Sequence, residues 1–578
     1  MSFFGTAGAW PEPLSRSIEA PIHRSEGQLT LALQGGPVWL SGATAPATPE
    51  ALLGAYKVAG VRFLARLTGR FALVIVDRVA NRTLLALDRM GLERLAYASV
   101  NGGVVFSDSA EQVARFPGIN APLRPQALFD YLLLHMIPAP DTVFEGVHKL
   151  RPGTCAVLEA GRLTVERYWR PEFATDHSAS FEELRKGLQD GLHAAVRDCE
   201  PDNSTGAFLS GGLDSSTVVG VLAHVSGQAP RTFSIGFGVD EYNELDFARI
   251  AVRRYGAKPT EYSVTADDIV AAFADVATAY DEPFGNSSAI PAYFCAKLAR
   301  DHGIDHLLAG DGGDELFAGN ERYARQRIFE TYRRIPAVLR NTLIEPLAHR
   351  IDPDSRVTPL RKARSYVDQA RIPMPERLES WNYMYRIDLG AMLEPDFRAA
   401  IDSRAPLRTM SEVYDETPSQ LLVHRMLFFD WQYTLSDNDL RKVSTMCALA
   451  GVRVSFPMLD PRLVDLSLRV PPNLMMKGLE LRSFYKRAMK GFLPDEIIAK
   501  QKHGFGLPFG VWLKTHARLG DLIYGLLGDL KRRKLVQAVF LDQLIADHRE
   551  GHPGYYGYAI WDLAMLEAWL QAHTVARV

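Results

Sequence analysis

The sequence predicts an α/β protein in two parts: a β-rich N-terminal domain, then a doubly wound parallel sheet with extra helices. Three observations predict it. Roughly the first 170 residues are rich in strand formers split by turns. From about 180 to 310, short apolar strands alternate with helical stretches, the texture of a parallel sheet. From about 325 onward the chain is mostly helical and rich in aromatics and Arg. At 578 residues the chain is too long for one domain.

Each element follows in order. "GRFALVIVDRVANRTLLALDR" (69–89) holds two strand-forming runs around the turn-like "VANR", and "GGVVFSD" and "GTCAVLEAGRLTVERYW" repeat the pattern. The polar "RPEFATDHSAS" (170–180) breaks both periodicities, which puts the boundary there and gives domains 1–172 and 180–578. "SFEELRKGLQDGLHAAVRDC" reads as a helix, with Ser180 as cap and Glu183 three residues later. Strand 206–209, helix 215–225, strand "RTFSIGF", helix "ELDFARIAVRRYG", strand "PTEYSV", two further helices and strand "HLLAG" complete the alternation.

Composition narrows the function classes. The net charge is −3 with no long basic or acidic run, so nucleic acid is not an expected partner. Cys155, Cys199, Cys295 and Cys447 lie far apart without a Cys-x-x-Cys pair, which implies neither a zinc site nor a disulfide framework and suits a reducing compartment. No stretch approaches the length of an uncharged membrane span and the N-terminus lacks a signal-peptide pattern, so a soluble cytoplasmic protein without a membrane partner is expected.

The chemistry concentrates in "FLSGGLDSSTVVGV" (208–221), where a strand meets a glycine turn and a helix start. Such a turn presents backbone N–H groups to phosphate, and the hydroxyls of Ser210, Ser215 and Ser216 add donors. The loop lacks the Lys of a Walker A motif. Asp214 beside bound phosphate is repulsive unless a cation lies between them, so Mg²⁺ is implied, and a second carboxylate should converge on it. "LLAGDGGDELFAGN" (307–320), again at a strand end, offers Asp311, Asp314 and Glu315.

On these motifs the chain resembles the asparagine-synthetase-type amidotransferases of the N-type ATP pyrophosphatase superfamily. "LSGGLDSS" is similar to the family's pyrophosphate loop and "GDGGDELFAG" to its second Mg²⁺ signature, with "TFSIGF", "DEPFGNSSAIP" and "KHGFGLP" in the expected order. "GRFALVIVD", "DRMGLERLAY", "IPAPDTVFEGVHKLRPG" and "YW" resemble the family's N-terminal nucleophile (Ntn) hydrolase-like glutaminase, a β-sandwich. The resemblance implies ATP and Mg²⁺, an acyl-adenylate and attack on it by an amine or ammonia. It places Ser210, Gly211, Gly212, Asp214, Ser215, Ser216 and Gly310 on ATP or pyrophosphate and Asp214 and Asp314 on the metal. It places Phe233, Ser234 and Gly236 near adenine or ribose.

The chain departs from the family in three places. Position 2 is Ser2 where glutamine-hydrolysing members have Cys, and their Arg-Gly-Pro-Asp and Asn-Gly-Glu motifs are missing, with only "LALQGGPVW" where the second belongs. The first domain therefore reads as a scaffold without glutaminase activity. "KVSTMCALAGVRVSFPMLD" (442–460) aligns with a family motif in which Arg453 replaces Glu and Ser455 replaces Arg, two positions assigned to the substrate pocket. The family's transition-state Lys falls at Arg482, with Lys486 one helical turn on as the other candidate. Asp311 aligns with a member of an acid–base pair whose partner has become Arg453, which speaks against aspartate as the acyl substrate. Lys502 and His503, a C-terminal aromatic helix and the long 325–430 span are weaker candidates for the substrate mouth.

The expected function is thus an ATP-dependent, AMP-forming amide synthetase joining a small-molecule or peptide carboxylate to an amine or ammonia. An ammonia-using asparagine synthetase and an ATP-binding scaffold are the alternatives, and a homodimer or pathway partner stays open.

Overall fold

The computed structural model describes residues 3–8, 18–40, 45–174, 178–239, 242, 244–352, 357–380, 382–500 and 506–574. Ser2, Lys502 and His503 lie outside the described residues.

The N-terminal half is a sandwich of two antiparallel sheets. One runs His148–Lys149, Ala96–Val100, Gly103–Ser107, Phe4–Ala7, Ile18–Glu19. The other runs Arg162–Arg167, Thr154–Glu159, Arg82–Leu87, Leu67–Asp77, Leu29–Trp39, Ile22–Glu26, with Ala45–Pro46 paired to Leu29–Trp39. The period of two sorts the side chains. Ala32, Ala72 and Val74 face Tyr97, Val104 and Phe106 of the first sheet. Leu31, Leu33, Leu73 and Ile75 face away and are covered by Leu52, Leu53 and Tyr56 of helix Pro49–Ala59. The central strands are therefore buried on both faces, which is why they read as continuous apolar runs rather than alternating ones.

Helix Phe181–Arg197 opens the second half. Its capping box is complete, because Ser180 Oγ accepts from Glu183 N and Glu183 accepts from Ser180 N. The parallel sheet that follows has strands Lys258–Val264, Arg231–Phe237, Thr205–Phe208, His306–Leu308 and Arg453–Ser455. The first strand in the chain, Thr205–Phe208, is central, and the order grows outward from it in both directions. Doubly wound sheets open a crevice at such a reversal, here between Thr205–Phe208 and His306–Leu308. Strand Arg453–Ser455 was not expected: three residues are too few to show a period.

Helices fill most of the remainder. Leu422–Asp430, Trp431–Leu440 and Arg441–Leu449 run on from one another, and the middle stretch is π-helical. Wide turns of this kind cluster at functional sites, and this one ends beside the crevice. Asp430 accepts from Arg322 Nη2 (2.6 Å) and from the Tyr323 hydroxyl, tying helix Glu321–Arg333 to that run.

Candidate active site

The two glycine-rich loops leave the two strands that flank the crevice. After Thr205–Phe208 the chain turns through Ser210-Gly211-Gly212 into helix Leu213–Ser226, whose N-cap Gly212 supplies no side chain to the first N–H groups. The helix dipole adds partial positive charge at this terminus, which suits an anionic ligand. Gly211 has φ +71°, and a Cβ on it would run into Phe247 and Ala248 of helix Leu245–Tyr255, so the turn needs glycine. Ser215 Oγ lies 3.2 Å from Ser210 N and 3.1 Å from Ser210 Oγ, bracing the loop. The second loop touches the first: a Cβ on Gly310 would lie 2.7 Å from Ser215 N.

Asp214 and Asp314, one from each loop, converge on Arg482. Arg482 Nη1 donates to Asp214 Oδ2 (2.6 Å) and to Asp314 Oδ1 (3.0 Å), while Nη2 donates to Asp214 Oδ1. The guanidinium lies over the Tyr485 ring, 4.4 Å from its centre. Burial works against the Arg482 charge, but the two carboxylates outweigh it and hold its pKa above the ordinary value. The backbone is bent to put it there: Arg482 is left-handed (φ 57°, ψ 30°) at the start of helix Ser483–Ala488. That conformation costs a non-glycine residue about 1–2 kcal/mol, which the buried ion pairs offset.

Two carboxylates that reach one guanidinium nitrogen also reach one small cation, and hard oxygen donors suit Mg²⁺. No cluster of three or more His, Cys, Asp or Glu that could hold a metal occurs among the described residues. Mg²⁺ fits this pattern, since it is commonly held by one or two carboxylates and completed by phosphate oxygens and water.

The loops open on a cavity of about 790 Å³. Ser210, Gly212, Asp214, Ser215, Phe233, Ser234, Gly310, Asp311, Asp314, Arg482 and Lys486 line it. Gly211, Ser216 and Gly236 do not: Gly211 lies against helix Leu245–Tyr255, Ser216 is buried within helix Leu213–Ser226, and Gly236 sits within strand Arg231–Phe237. Lys486 faces the cavity with no ion pair among the described residues.

Asp311, Asp439 and Lys442 line the same cavity. Lys442 Nζ donates to Asp439 Oδ1 (2.7 Å). Burial pushes the Asp311 carboxyl up to about 6; Lys442 opposes the rise, and Asp439 and Asp214 add to it. Lys442 has its own pKa lowered by burial and, more strongly, raised by Asp439 and Asp311. Sequence reasoning missed both Lys442 and Asp439. A signal existed, since Lys442 opens the stretch that aligns with the family motif.

Arg453 and Ser455 require a correction. Neither lines the cavity. Arg453 pairs with His306 at the N-terminal end of the edge strand, whereas ligands bind beyond the carboxyl ends. Its side chain is 75% exposed and lies 3.7 Å from Asp305. Ser455 Oγ is 2.8 Å from His306 Nε2, on the sheet rather than in the site. Arg453 therefore carries no information about the acyl group, and the argument it supplied against aspartate falls away. In the N-terminal domain, Gln34, within "LALQGGPVW", donates to Glu93 Oε2 (2.8 Å), and Arg70 pairs with Glu93 Oε1 (2.5 Å).

Residues 187–571 match the family model described as asparagine synthase, and residues 43–169 match that of a glutamine amidotransferase domain. A Mycobacterium tuberculosis protein assigned as a glutamine-hydrolysing asparagine synthetase is 27% identical over 551 residues, covering 90% of this chain and 79% of that protein. Asparagine synthetase 1 of Bacillus subtilis, also named as glutamine-hydrolysing, is 24% identical over 503 residues, covering 86% and 77%. The amidase chry2 of Gibberella zeae is 22% identical over 521 residues, covering 82% and 75%.

Proposed function

The chain belongs to the asparagine synthase family, and we propose that within it this protein is an ATP-dependent, AMP-forming amide synthetase that works without glutamine hydrolysis of its own. The observation that carries the reading is the convergence of Asp214 and Asp314 at the mouth of a phosphate-accepting helix terminus, on the switch point of the sheet. Asp214 and Asp314 would hold Mg²⁺, which supplies charge neutralisation for the triphosphate.

The rest falls to the chain's own groups. Backbone N–H groups at the start of helix Leu213–Ser226 and the Ser210 and Ser215 hydroxyls grip the β,γ-phosphates, while Phe233 and Ser234 border the nucleoside. A carboxylate oxygen attacks the α-phosphorus, the bond to pyrophosphate breaks, and an acyl-adenylate forms. Lys486, unpaired among the described residues, faces the charge that builds on the departing pyrophosphate, while Arg482 is engaged with the two carboxylates. An amine nitrogen then attacks the acyl carbon and AMP leaves with its oxygen. Asp311, basic above about pH 6, takes the proton that the amine loses. Independence from glutamine is supported by the missing glutamine-binding motifs.

The test is release of pyrophosphate and AMP from ATP and Mg²⁺ against a panel of carboxylates, aspartate included. Each is run with ammonia, glutamine and simple amines, and Asp214→Ala is the control. Carboxylate-dependent release that glutamine neither drives nor is consumed by is the expected result. Release with aspartate and ammonia alone identifies an asparagine synthetase fed by free ammonia. ATP binding without release, for every acid offered as free compound or peptide, refutes the enzyme reading in favour of a scaffold.

A further inference from the structure

The helices that leave the cavity wall at Glu321 carry a surface both apolar and basic. Their own core is small and separate: Phe329, Tyr332, Ala348, Val367 and Ala370. Ile335, Ile344 and Tyr366 pack against it, and other large apolar side chains point outward. Val338, Leu339, Leu343, Leu347, Val357 and Leu360 are all exposed, Val338 at 72% and Leu343 at 54%. Leu339, Leu343 and Leu347 recur every four positions through the consecutive stretches Ala337–Leu339, Arg340–Ile344 and Glu345–His349, so they share one face. Monomeric proteins seldom leave so many leucines together in water without use for them.

The same segment is the basic part of an otherwise acidic chain. Residues 321–371 hold twelve Lys and Arg against six Asp and Glu, while the whole chain has net charge −3. Arg333, Arg334, Arg350, Arg361 and Lys362 are exposed and have no ion pair among the described residues. We propose that this face rests on an anionic lipid surface, with the leucines in the headgroup–acyl boundary and the basic residues against lipid phosphates.

Charge complementarity selects this occupant. A second copy would set one basic face against an identical one, which repels. Side chains as far out of the surface as Val338 fit a soft boundary that needs no matching groove. Arg and Lys suit it further, since their stems lie along apolar surface while their charges reach the headgroups. The contact is peripheral: among the described residues no helix is long and apolar enough to cross a membrane. The inference goes beyond the amide-synthetase reading and does not depend on it.

Vesicle co-sedimentation of the full chain tests it, comparing phosphatidylcholine alone with phosphatidylcholine containing phosphatidylglycerol. Binding to the anionic vesicles, weakened by added salt, is expected. Leu343→Glu/Leu347→Glu should lower the partition coefficient by about tenfold or more, and Arg361→Glu/Lys362→Glu should abolish the preference for anionic vesicles. A second readout needs no variant: backbone amides of residues 337–349 should exchange hydrogen more slowly when anionic vesicles are present. Equal recovery with both vesicle types, or undiminished binding by the leucine variant, overturns the proposal. Binding to neither type overturns it too.

Discussion

Replacing Arg482 by Met keeps the length of the side chain and removes the cation between Asp214 and Asp314. Breaking a buried ion pair on one side costs about 3–5 kcal/mol, because the remaining charge stays out of water. Here two carboxylates lose their shared partner, but their side chains are 17% and 15% exposed, so solvent relieves part of the penalty. The lower end, about 3 kcal/mol, is therefore expected. The variant also keeps a left-handed residue at 482, so no backbone strain is released. Urea denaturation of the full chain, followed by far-UV circular dichroism in EDTA, measures the loss. Adding Asp214→Asn in the same background should recover part of it, since one of the two neighbouring carboxylate charges is then gone. Millimolar Mg²⁺ should narrow the gap as well, because a cation that binds the native carboxylates stabilises the fold by mass action. Arg482→Met within about 0.5 kcal/mol of the parent in EDTA would refute the argument. So would a double variant at least as unstable as the sum of the singles.

Further outcomes follow from the same geometry. With Asp311 pushed up to about 6, its basic form grows as pH rises through that value. The amide-forming step should therefore climb to a plateau above it, and Asp311→Asn should flatten the limb in single-turnover assays of amine capture. Lys442→Met removes the cation that opposes the rise, with Asp439, Asp214 and Cys447 left facing Asp311, so the limb should move to higher pH. Arg453→Ala, at an exposed site with a 3.7 Å pair, should change stability by less than about 0.5 kcal/mol and leave steady-state turnover unaltered; a large fall in turnover would return Arg453 to the site. Gly211→Ala should lower ATP-dependent pyrophosphate release far more than it lowers helix content, because it distorts one turn and not the sheet.

The phosphate loops were legible because they are local. A glycine pair followed by a carboxylate at the end of an apolar run is a backbone signal, and it needs no knowledge of distant partners. Asp214 and Asp314 could be linked from sequence because the strands before them were visible, and strand ends in one sheet face one crevice. Arg482 was found by spacing, but its partners were not, since nothing local ties a helix start to carboxylates more than a hundred residues earlier. Asp439 and Lys442 arrive on a helical run whose π-helical middle shifts the face it presents, which a period of 3.6 does not anticipate. Arg453 shows the reverse failure. An ungapped alignment carried a functional label onto it, and a three-residue strand then set it at the wrong end of the sheet.

The N-terminal domain has a reason to persist that is independent of glutamine. Glu282, fully buried, accepts from Lys149 Nζ (2.7 Å) and Val143 N (2.9 Å) of that domain and faces Arg441 Nη1 at 3.3 Å. Asp281 accepts from Ala110 N (2.7 Å) and Arg441 Nη2 (2.8 Å). Burial would raise the Asp281 carboxyl, but Arg441 and Arg94 hold it down to about 2. The sandwich contributes Lys149, Val143 N and Ala110 N to carboxylates that Arg441 compensates from the other side, so removing it takes away part of their compensation. Arg441 immediately precedes Lys442 on the helical run, and Asp281 and Glu282 lead directly into Asn286 and Ser288, which line the cavity. The sandwich therefore fixes two walls of the site through charges it supplies. These contacts tie the sandwich to the site whatever its own chemistry, because Lys149 and the backbone N–H groups of Val143 and Ala110 complete the bonding of Glu282 and Asp281.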